Sequence, residues 1–161
     1  MAITKAVATL EQLELCTVEG TKQKYIHFED PLNELWGKAN PYLINPVFKI
    51  VFVDELPKAN LLKSNIMALP EYTDIAPGNQ EYYAIEKTNF YALQKNSELV
   101  NKNEYEGRYC LEVWKYNPNT LAEGITQKSN VDPLSLFLSL KDMQDERIEM
   151  ALDQIIEKFI W

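Results

Sequence analysis

The chain has 161 residues, 46% of them hydrophobic and 11% aromatic, enough for one well-cored domain or a domain plus a fragment of another, and wholesale disorder is excluded. No apolar run approaches the roughly 20 residues that span a bilayer, and the short apolar stretch after Lys5 is cut by Glu11. The net charge of −8 opposes nucleic-acid binding if spread evenly, but residues 1–28 balance Lys5, Lys22 and Lys24 against Glu11, Glu14 and Glu19 while the acid gathers near the C-terminus.

Ile3, Val7, Leu10 and Leu13/Leu15 recur at helical spacing and predict a helix over 2–14, with Thr4, Lys5, Ala8, Thr9 and Gln12 on its other face. Cys16-Thr17-Val18 begins an extended run, and Glu19-Gly20-Thr21-Lys22 carries turn chemistry. The chain returns in period-two alternation over Gln23–Phe28, so a hairpin centred on Gly20-Thr21 is expected. Asp30 reads as a cap and Pro31 as the first position of a helix whose apolar face is Leu32, Leu35, Trp36 and Ala39, stopping near Pro41. Val47–Val53, interrupted only by Lys49, reads as a mostly buried central strand.

Leu61-Leu62, Ile66, Met67 and Leu69 predict a short helix ended by Pro70, followed by a loop over 72–79 and a strand over 81–86. Thr88 is expected to cap a helical segment holding Phe90, Tyr91 and Leu93, and 96–107 reads as polar surface loop. Residues 108–116 form a strand with Tyr109, Leu111 and Val113 on one face and Cys110 and Trp114 on the other. A turn at 117–119 and a polar linker over 121–130 lead to Asp132-Pro133, a cap-plus-proline helix start. After a break at 142–146, Ile148, Leu152, Ile155 and Phe159 form the stripe of a terminal amphipathic helix, which packs on its own sheet or on a second copy. The fold class is α+β, divided into an element at 1–29 and a mixed domain at 30–161.

Chemistry finds little footing. His27 is the only histidine and has no serine or cysteine partner in an activating context. Cys16 and Cys110 form no metal-ligand pattern and read as buried thiols. The five glycines are scattered, so no phosphate loop exists. Asp142, Asp145 and Glu146 read as capping and solvated charge beside Lys141 and Arg147. Tyr72, Tyr82, Tyr83, Tyr91, Trp36 and Trp114 suit a core better than a pocket, with a groove between the sheet and the 58–70 helix as the alternative. No catalytic residue, cofactor or metal site is expected.

The order of ITKAVATLEQLEL and EGTKQKYIHF resembles the recognition helix and wing of a winged-helix (MarR-like) regulator. The runs EDPLNELWGKANPYLINPVFKIVFVDELP, IMALPEYTDIAPGNQEYYAI, LEVWKYNP and VDPLSLFLSLKDMQDERIEMALDQIIEKF resemble the C-terminal part of bacterial winged-helix proteins, whose architecture is similar to antitoxins from nucleotidyltransferase toxin–antitoxin pairs. Such proteins carry further helices ahead of the recognition helix, so the expectation is either a shortened form of a longer regulator or a plain helix–hairpin. The resemblance implies a DNA-binding regulator, with Thr4, Lys5, Ala8, Thr9 and Gln12 reading bases and Lys22, Gln23 and Lys24 on the backbone; the lack of a catalytic site, of a span and of a secretory pattern adds the expectation that it is non-catalytic and cytoplasmic. With three lysines, DNA binding by this chain alone should be weak, and a homodimer reading two half-sites is expected. The alternatives are a protein-interaction module without DNA binding and, last, an enzyme of unrecognised type.

Overall fold

The computed structural model describes residues 2–125 and 129–161. It is α+β, and its chain falls into two compact units, Met1–Leu43 with Ile160–Trp161 and Ile44–Phe159.

In the first unit, α1 (Ala2–Gln12) is followed by the antiparallel hairpin β1 (Thr17–Glu19) and β2 (Tyr25–His27) and by α2 (Leu32–Ala39). The helix stops where Leu15 N–H bonds to Leu10 O at 2.9 Å and Glu14 N–H to Glu11 O at 3.0 Å, a Schellman-type closure that places Glu14 at a φ of 56°. The hairpin loop spans 20–24, and Gly20, at a φ of 97°, comes so close to the Gln23 carbonyl that an added Cβ would lie 2.0 Å from it. Asp30 does not cap α2. Pro31 holds the cap position with no side-chain bond, and the Asp30 carboxylate instead pairs with Lys38 Nζ at 2.6 Å.

The second unit is a four-stranded mixed sheet in the order β3-β6-β5-β4, formed by Val47–Val53, Tyr109–Trp114, Glu81–Glu86 and Leu62–Lys63. The β5–β6 pairing is parallel and the other two are antiparallel. The central pair is therefore β5 and β6, and β3 lies at an edge, contrary to its apolar sequence. Periodicity reports side-chain faces and cannot report which backbone edge is paired. At the centre β6 is buried from Cys110 to Trp114, whereas at the edge Phe48 and Ile50 of β3 remain 45% and 43% exposed.

Helices cover both faces of this sheet. On one, Phe90 and Leu93 of α4 (Lys87–Lys95) pack on Val51, Val53, Ile85, Leu111 and Val113. On the other, Leu62, Ala84 and Trp114 meet α3 (Asn65–Ala68), α5 (Pro118–Ile125), α6 (Pro133–Leu140) and α7 (Glu146–Phe159). Ile148, Leu152 and Ile155 of α7 are buried in this second core, and Phe159 stacks edge-on against Tyr72 at 5.7 Å, so the terminal stripe packs within its own unit. Each such buried side chain contributes about 1.5–3 kcal/mol.

Several local expectations change. Leu62-Lys63 is strand, because it pairs with Ala84 and Tyr83, and the helix after it is confined to Asn65–Ala68. Thr88 lies inside α4, whose cap position is Glu86, without a side-chain bond. The expected turn and linker beyond 117 are occupied by α5 as far as Ile125; residues 126–128 lie outside the described residues. Asp132, by contrast, caps α6 as expected, accepting from Ser135 N–H at 2.8 Å, and Asp145 accepts from Arg147 N–H at 2.9 Å to cap α7.

Candidate functional site

The helix–hairpin of the first unit holds every residue expected to read DNA. Thr4, Lys5, Ala8, Thr9 and Gln12 are all exposed, as are Lys22, Gln23 and Lys24. They differ in what they border. Thr4 and Ala8 join Ile3, Val7 and Glu11 along one wall of an open groove of about 340 Å³, and Val18, Lys24 and Ile26 of the hairpin form the other. Lys5, Thr9 and Gln12 lie outside it, with the Thr9 hydroxyl donating back to Lys5 O at 3.0 Å. Lys22 and Gln23 sit in the 20–24 loop.

The groove is apolar with one charge of each sign at its lips. Ile3 is 80% exposed, and Tyr25 and Phe28 on the same unit stand 54% exposed. A second recess in the unit is acidic: Glu11, Glu14, Glu29 and Asp30 line it, and Lys38 alone offsets them. The Asp30 carboxylate raises the Lys38 pKa, mainly through their hydrogen bond. Over residues 1–43 four lysines face six carboxylates. His27 lies 3.7 Å from Glu19 across the hairpin, both side chains largely in water, a contact of little energetic consequence.

In the second unit two chemistry-bearing groups, Glu112 and Cys110, are buried. Glu112, 1% exposed on β6, accepts from Asn65 Nδ2 at 2.6 Å and from Trp114 Nε1 at 3.3 Å. Burial raises its pKa, and the hydrogen bond from Asn65 opposes this only in part. The reading of β6 assigned Cys110 and Trp114 to this face but passed over Glu112 between them; period-two alternation places it there. Burial also pushes the Cys110 thiol up to about 12, so it stays protonated and unreactive. Both cysteines are buried and free.

Tyr72 and Trp114 are core residues, Tyr91 is 39% exposed, and Tyr82, Tyr83 and Trp36 are half-buried. Ile66 of α3 borders a cleft of about 220 Å³ with residues 75–79 and the first turn of α7, and none of the six aromatics lines it. Among the described residues no group of three or more His, Cys, Asp or Glu could hold a metal ion, and no helix is long and apolar enough to cross a membrane.

No family model, curated protein or solved structure matches this chain.

Proposed function

We propose that this protein acts by binding rather than by chemistry, and that the helix–hairpin of its first unit is the contact element for a protein partner. The observation that carries this reading is the exposed apolar groove between α1 and β2, with Ile3 at 80% and Ile26 at 42% exposure. Large apolar side chains grouped around a concave surface and rimmed by charge are the mark of a protein-binding patch. Glu11 and Lys24 at the lips suit an apolar anchor flanked by charges of both signs.

The test is photo-crosslinking from position 26 in cells of the source organism, with Ile3→Glu as the control. One discrete heterologous protein adduct, abolished by Ile3→Glu, supports the reading. An adduct of twice the chain's mass points instead to a homodimer paired through this surface. Absence of any protein adduct overturns the reading.

DNA-linked regulation is the second reading, favoured by the exposed row Lys5, Thr9 and Gln12 and the lysines of the hairpin. Against it stands the charge of the unit, four lysines to six carboxylates. With at most three phosphate contacts the slope of log affinity on log salt would be about −3. Duplex binding with that slope, lowered equally for all sequences by replacing Lys22 and Lys24, would restore it to first place.

A further inference from the structure

We infer that the first half of β3 is an open strand edge that takes up an extended, acidic segment of another protein as a fifth strand. The second half of this edge is already closed. Phe52 exchanges backbone hydrogen bonds with Asn103 at 2.8 and 3.1 Å, and Asp54 N–H bonds to Val100 O at 3.1 Å. Gly107 permits that closure, since a Cβ there would press on Phe52 and Val53 at 3.0 Å. Backbone groups alternate sides along a strand, so Ile50, two residues before Phe52, points its N–H and C=O away from β6. Neither has a hydrogen-bond partner among the described residues. Phe48 and Ile50 also leave nearly half of their apolar surface in water.

An edge lysine ordinarily protects such a strand. Lys49 does not cover this one. Its ammonium is folded back over the rings of Phe90 and Tyr91, at 4.7 and 4.8 Å from their centroids, and lies 3.3 Å from the Tyr91 hydroxyl. Lys87 lies over the Phe48 ring at 4.0 Å, and Lys115 reaches the Asn45 carbonyl at 2.8 Å. None of these three lysines meets a carboxylate among the described residues, and neither β3 nor α4 carries one, in a chain of net charge −8. Positive charge thus borders an open apolar edge, and this selects a strand that carries acidic side chains.

A second copy fits poorly. Pairing two β3 edges is confined to 47–51 by the closure at Phe52, and the arrangement that sets Phe48 against Ile50 places Lys49 opposite its own copy. Like charges directly opposite are unfavourable. Strand addition supplies main-chain hydrogen bonds for affinity, and alternate side chains decide the partner.

The experiment uses the full chain and two acetylated, amidated hexapeptides, one alternating Glu with Val and the other alternating Lys with Val. Amide exchange followed by NMR is the readout. The Glu peptide should slow exchange at Ile50 roughly five- to tenfold, the gain of about one hydrogen bond. Lys87→Gln, an exposed substitution, should weaken its binding up to about fivefold, the range of a surface ion pair. Equal effects of both peptides, protection at 25–27 in place of Ile50, or no protection at all would overturn the inference. Protection of Ile50 that grows with protein concentration without peptide would also overturn it, in favour of self-pairing.

Discussion

Asn65 Nδ2 donates to Glu112 Oε1 at 2.6 Å, joining two residues 47 apart in sequence within the buried interior of the second unit. The bond ties the start of α3 to the middle of β6, and Trp114 Nε1 holds the other carboxyl oxygen. Because Glu112 is buried, its pKa in the folded chain lies above that of the unfolded chain, about 4.3.

That shift fixes a sign. The folded state holds the proton more tightly, so the contribution of Glu112 to stability is complete below about pH 4.3 and is lost as pH rises through its folded pKa. Glu112→Gln keeps the shape and cannot ionise. Its urea-unfolding free energy should fall less between pH 4.5 and 7.5 than that of the parent. Parallel profiles would show that the carboxyl does not titrate in this way.

Two helix ends place side chains where glycine is preferred. Glu14 and Ser97 both have a φ of 56°, each next to a closure bond, from Leu15 N–H to Leu10 O and from Glu98 N–H to Leu93 O. Glu14→Gly and Ser97→Gly should each stabilise the chain by up to about 1 kcal/mol, read from the urea midpoint. A loss of stability would mean that the side chains hold these turns by contacts of their own.

Apolar residues with similar sequence signals should differ sharply on truncation. Ile155 is fully buried, and Ile155→Ala should cost about 2–5 kcal/mol. Ile3, on an equally regular stripe but 80% exposed, should change stability by less than about 0.5 kcal/mol. Equilibrium denaturation of the two variants decides this, and comparable losses would mean that Ile3 is covered in solution.

Thiol titration offers an independent check. Cys110 is buried with its pKa pushed up to about 12, so it should react with a disulfide reagent only when the second unit unfolds. Labelling of Cys110 at a rate independent of added urea would place it in a more open environment.

What the sequence determined by itself is local. Residues three to four apart produced the stripe of α7, alternate residues sorted Tyr109, Leu111 and Val113 from Cys110 and Trp114, and Asp132-Pro133 marked the start of α6. These signals depend on neighbours a few positions away, and the mixed α+β class followed from them. The tertiary structure decided what depends on distant partners. β3 became an edge beside the better-buried β6, Leu62-Lys63 became strand because Ala84 and Tyr83 lay beside it, and Asp30 turned from α2 to Lys38. The same holds for the candidate sites. Exposure of Thr4, Lys5, Thr9 and Gln12 was legible from helical spacing, but the joining of Thr4 and Ala8 with Lys24 and Ile26 along one groove was not. Neither was the open edge at Ile50, because a backbone edge is left free by the strands that do not arrive, and no local pattern encodes their absence.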